Sequence, residues 1–114
     1  GDILIAGFVL RGSEPRRMLI RAVGPTLAQL GVTGVLATPR LELINQATGA
    51  TVATNEKWDP ALTEAFAAVG AFALQPNSLD AALVINLPPG SYTAQVSGVA
   101  GTTGVALLEV YAVP

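Results

Sequence analysis

The stretch DAALVINLPPGSYTAQVSG, residues 80–98, decides the fold class. From Ser91 to Ser97 it alternates strictly, with Tyr92, Ala94 and Val96 on one face and Ser91, Thr93, Gln95 and Ser97 on the other. A two-residue period belongs to a β-strand, and this one fits an antiparallel strand with one face on a core and one in water. Asp80–Leu87 before it is a second, more apolar strand, and Pro88-Pro89-Gly90 supplies the turn chemistry between them.

Working outward, Gly104–Val113 reads as a strand apolar on both faces, reached through the loop Gly98–Gly104, which is read as a hairpin loop. Upstream, Gln75-Pro76-Asn77-Ser78 is a polar turn, and the one clear helix is predicted over residues 60–69. Asp59 suits its N-cap, Pro60 its first position, and Gly70 its stop. Leu62, Ala65, Phe66 and Val69 make one stripe, and so short a helix must dock Leu62 and Phe66 on a sheet to persist. Arg40–Asn45 and Ala50–Thr54 flank a hairpin connection, Gln46-Ala47-Thr48-Gly49. Residues 25–30 form a helical turn after Gly24-Pro25, with Gly31 ending it and Val32–Pro39 as loop.

At the N-terminus, Ile3–Leu10 is apolar on both alternating faces, as expected of a strand covered on both sides. The turn cluster Arg11–Pro15 leads to a returning strand, Arg16–Val23, with Met18, Ile20 and Ala22 on one face and Arg17, Leu19 and Arg21 on the other. Arg21, set among apolar residues, is read as an internal clamp on a carboxylate or loop carbonyls, with Glu42 or Glu109 as partners. About seven short strands with one helix predict an all-β, antiparallel β-sandwich of jelly-roll or immunoglobulin-like type, a single domain over residues 1–114.

Composition narrows the chemistry. The chain is 51% apolar and only 12% charged, with small residues making up the excess, so part of its apolar surface is expected to face a neighbour. It has no cysteine and no histidine, which excludes disulfides and thiolate metal sites and removes the commonest general base and zinc ligand. Its serines have no histidine to activate them, and no Gly-x-Ser-x-Gly elbow occurs. The carboxylates have structural roles: Asp59 caps, Glu64 lies on a helix face, Asp80 opens a strand. The glycines of residues 98–104 lack both the lysine and the following helix of a phosphate loop. The expectation is a non-enzyme with no cofactor and no metal. Lys57, in Asn55-Glu56-Lys57-Trp58, weakens a cation-binding reading of that acidic run.

Charge is unevenly spread: residues 1–40 carry +3 and residues 41–114 carry −5, for −2 in all. Arg11, Arg16, Arg17 and Arg21 cluster with no interleaved aromatic residue, so nucleic acid is not the expected partner. A basic hairpin bearing Arg11, Arg16 and Arg17 could instead meet Glu56, Asp59 and Glu64 of a neighbouring copy. Ile3–Leu10 is too short to span a bilayer, so no transmembrane segment is expected. The first residue is Gly1, and both ends run into strand-like sequence, as in one repeat of an array or a processed subunit.

The segments LIAGFVLRG, RRMLIRAVGPTLAQLGV, LELINQATGATVATNEKW and SLDAALVINLPPGSYTAQVSGVAGTTGVALLEVY together resemble a repeat module of large secreted proteins of environmental bacteria. The second half is also similar to the pre-peptidase C-terminal type of jelly-roll sandwich, through its Pro-Gly-Ser-Tyr-Thr strand. The resemblance implies an accessory extracellular sandwich and transfers no catalytic residue.

Two functional expectations result. The first is a structural or adhesive module that stacks with other copies or neighbouring domains, in a filament or repeat array. Its assembly surface would include Ile3, Ile5, Val9, Val105 and Leu107, together with the charged residues named above. The second is a carbohydrate-binding module using Trp58, Asn55 and Tyr92, although a lone tryptophan where the chain enters a helix serves equally to seal the core.

Overall fold

The computed structural model describes residues 3–114; Gly1 and Asp2 lie outside the described residues. Among these residues seven strands are formed: β1 (Leu4–Leu10), β2 (Arg16–Val23), β3 (Pro39–Asn45), β4 (Thr51–Asn55), β5 (Ala81–Leu87), β6 (Gly90–Gly98) and β7 (Leu107–Ala112). They make two antiparallel sheets, one ordered β1-β6-β3-β4 and the other β5-β2-β7. The expected β-sandwich is present.

Chain order explains the layering. Among the described residues only β3 and β4 are consecutive strands paired in one sheet; the other five links, β1–β2, β2–β3, β4–β5, β5–β6 and β6–β7, all cross from one sheet to the other. The Gly98–Gly104 loop is therefore not a hairpin loop, because it carries the chain from β6 across to β7. A tight bend at Val99–Gly101 does this, with Ala100 at φ 56°. The last strand also starts later than expected: Val105 makes only an isolated parallel bridge to Val35, and β7 begins at Leu107.

Between the sheets lies the main core. Leu41, Leu43, Tyr92, Ala94 and Val96 of the larger sheet meet Met18, Ile20, Ala22, Ala81 and Leu87 of the smaller one. A second core sits on the opposite face of the smaller sheet, where Leu19, Val23 and Ala82 are covered by Leu27, Trp58, Phe66 and Leu74. β2 is thus buried on both faces by its own chain, which accounts for its doubly apolar sequence.

The covering layer is built from the inter-strand segments. Residues 25–30 form a 3-10 turn stopped at Gly31, as the sequence indicates. The helix expected over residues 60–69 is split into a 3-10 turn, Pro60–Leu62, and a short helix α1, Thr63–Ala68. Asp59 caps the 3-10 turn, its side chain accepting from the Ala61 N–H at 2.9 Å. Phe66 is the residue that docks, packed on Trp58 with ring centroids 5.6 Å apart.

β1 departs from expectation. Its inner face packs as the period of two requires, ending on buried Leu10, with Phe8 stacked on Tyr92 at 5.6 Å. Its outer face is not covered by the described residues: Ile5 and Val9 are 58% and 57% exposed. The strand is apolar on both faces while lying at a sheet edge.

Candidate interaction surface

Two polar clusters, centred on buried Arg21 and buried Asp80, hold the covering layer in place. Arg21 is fully buried on the outer face of β2. Its Nε donates to Glu109 Oε1 at 2.7 Å and its Nη1 to the Phe72 carbonyl at 2.7 Å. Its guanidinium lies against the rings of Phe66 and Phe72, 4.9 and 4.6 Å from their centroids. This is the clamp read from the sequence, with Glu109 as its carboxylate; Glu42 instead pairs with Arg40 at 3.2 Å. Tyr111 donates to Glu109 Oε2 at 2.5 Å, and that bond to a carboxylate, with burial, raises the phenol's pKa above its usual value.

The second cluster is centred on Asp80, which is fully buried. Its carboxyl accepts from the backbone N–H groups of Gly24 at 2.7 Å and Thr26 at 3.2 Å, and from the hydroxyls of Thr26 and Ser78. Ser78 Oγ in turn accepts from the indole N–H of Trp58 at 3.1 Å. Gly24 is required here, since a Cβ at that position would sit 2.1 Å from the Leu36 carbonyl oxygen. The sequence marks Asp80 only as the start of a strand; Gly24 and Thr26, which donate to it, lie more than fifty residues away, which no local pattern records.

The three residues considered for sugar contact do not share a surface. Trp58, 8% exposed, belongs to the second core and seals it, whereas Tyr92, 3% exposed, belongs to the core between the sheets. The Tyr92 hydroxyl donates to the Pro88 carbonyl at 2.6 Å, and Asn55 Oδ1 accepts from the Ala82 N–H at 3.1 Å.

The residues expected on an assembly surface fall into two groups. Ile3, Ile5, Val9, Val105 and Leu107 are all exposed, and β1 and β7 are each terminal in their sheets. Leu4, which alternation alone places on the inner face, joins them: the sheets part there, and Ile3, Leu4, Leu36, Val96, Val105 and Ala106 line an apolar cleft of about 280 Å³. The charged group separates by strand direction. Arg11, Arg16 and Arg17, all exposed, lie at the end of the sandwich where β1 stops and β2 starts. Glu56 follows β4 at the opposite end, where the Trp58 N–H donates to the Asp80 carbonyl at 2.9 Å and Asp59 opens the next turn. Glu56 lies 3.8 Å from Arg40. Glu64 is exposed on α1.

The hydrogen bonding of β6 determines which backbone groups of β1 are free. Ser91 accepts from the Gln46 N–H and the Val99 N–H donates to the Thr38 carbonyl, so odd-numbered residues of β6 bond toward β3 and even-numbered ones toward β1. In the register Phe8–Tyr92 and Ala6–Ala94, the even residues of β1 are therefore the bonded ones. The N–H and C=O groups of Ile5, Gly7 and Val9 point out of the sheet edge, in the plane beside their own exposed side chains. The sequence shows that β1 is apolar on both faces; it does not show that β1 is an edge.

No protein-family model matches the chain, and no curated protein matches it. Among the described residues no helix is long and apolar enough to cross a membrane.

Proposed function

We propose that the chain is a non-catalytic, extracellular structural or adhesive module whose task is to associate with further copies of itself. The observation that carries this reading is the outer row of β1, where Ile5 and Val9 stand exposed beside an unpaired, uncharged strand edge. Natural sandwiches guard such edges with lysine, proline, a bulge or a short strand, because an open apolar edge recruits another strand. β4, the other edge of this sheet, is short, rich in threonine, and paired with a register shift at Leu43/Ile44. β1 has none of these devices.

Arg11, Arg16 and Arg17 lie at one end and Glu56 and Asp59 at the other, where Glu56 also neighbours Arg40, and this supports a directional contact in which the three arginines of one copy face Glu56 and Asp59 of the next. Exported localisation rests on the resemblance to repeat modules of secreted proteins. Light scattering against concentration tests the reading. The wild-type chain should gain mass as it is concentrated, and Ile5→Lys or Val9→Lys should remove that gain while leaving the fold intact. A wild-type chain that stays monomeric throughout would refute self-association.

A further inference from the structure

We propose that β1 pairs antiparallel with β1 of a second copy across a two-fold axis at Gly7, joining two four-stranded sheets into one of eight. This rests on the self-association reading and gives it a geometry.

The seven residues of β1, Leu-Ile-Ala-Gly-Phe-Val-Leu, are close to a palindrome in chemical character about Gly7. A two-fold at Gly7 sets Ile5 opposite Val9 of the second copy, Ala6 opposite Phe8, Leu4 opposite Leu10, and Gly7 opposite itself. Ile5, Gly7 and Val9 are the residues whose backbone groups face outward. In this register each meets another outward-facing residue, so every free N–H and C=O of the three gains a partner. A slip of one residue would set outward-facing groups against groups already bonded to β6, and the ladder would be lost.

The side chains agree with the backbone. On the outer face, the exposed Ile5 and Val9 form β-branched cross-strand pairs, a favourable combination. On the inner face, small Ala6 lies opposite large Phe8, and Leu4, left 42% exposed at the mouth of the cleft, lies opposite Leu10. The axis passes where no side chain stands, and no residue from Leu4 to Leu10 is charged, so nothing repels across it. A second copy in this register matches both rows at once.

The chain has no cysteine, so introduced ones report the register. Gly7→Cys is tolerable in place, its nearest contact being the Gln46 side chain at 3.7 Å. Opposed residues of a bonded antiparallel pair have Cα atoms about 5.5 Å apart, within disulfide reach, whereas Ile5 and its own copy would be about 14 Å apart. Under mild oxidation Gly7→Cys should cross-link with itself. Ile5→Cys and Val9→Cys should cross-link with each other when mixed, at least tenfold more than either does alone. A wild-type monomer at millimolar concentration would overturn the self-association reading and this geometry together. A wild-type dimer with no Ile5→Cys/Val9→Cys heterodimer would overturn the β1 two-fold alone.

Discussion

Asp80 shows how much of this fold rests on single buried groups. Its carboxyl gathers the start of the 25–30 turn, Ser78 and, through Ser78, Trp58, each in a different segment of the covering layer. Replacing it with alanine leaves several donors buried without an acceptor. At roughly 1–3 kcal/mol for each unsatisfied group, less what water recovers, Asp80→Ala should cost about 3–5 kcal/mol. The check is the midpoint of a urea unfolding curve. Tyr111 gives a pH-dependent counterpart. Its folded-state pKa lies above the unfolded value, so the stability it contributes is fully present below the unfolded pKa and is lost as the pH rises through the folded one. The loss of this contribution should therefore begin near the ordinary pKa of a phenol, about pH 10. Tyr111→Phe should flatten that limb when unfolding is followed at a series of alkaline pH values.

At the scale of elements, the decisive feature is the second core. α1 has six residues and could not persist alone; it is held by Phe66, which contacts both Trp58 and the Arg21 guanidinium. Phe66→Ala should destabilise the protein by about 3–5 kcal/mol, with the loss showing first as a rise in Trp58 exposure in fluorescence. The sequence made much of this layer legible, because a cap, a proline, an apolar stripe and a stop glycine are local signals, and so is an arginine stranded in an apolar strand. The strand pattern was legible for the same reason. What local pattern could not supply was sheet order. Apolar residues on both faces of a strand have the same appearance in β2, which is buried centrally, and in β1, which is an edge with its outer row exposed. The glycine-rich loop after β6 likewise carries hairpin chemistry while in fact crossing between sheets.

For the whole molecule, the small sheet is sheathed on both sides and the large sheet on only one. β3 and β6 present Arg40, Glu42, Thr93, Gln95 and Ser97 outward, a face suited to water, and at its margin β1 presents Ile5 and Val9. An apolar row at the margin of a face that is polar except for Ile44 is where strand pairing between copies would act, with the charged ends supplying direction along the strands. Amide hydrogen exchange followed by NMR at micromolar and millimolar concentration puts this to the most direct test. In dilute protein Ala6 and Phe8 should be protected by β6 while Ile5, Gly7 and Val9 exchange freely, and on concentration those three should become protected together. If Ile5, Gly7 and Val9 exchange equally fast at both concentrations, the edge of β1 is not an assembly surface.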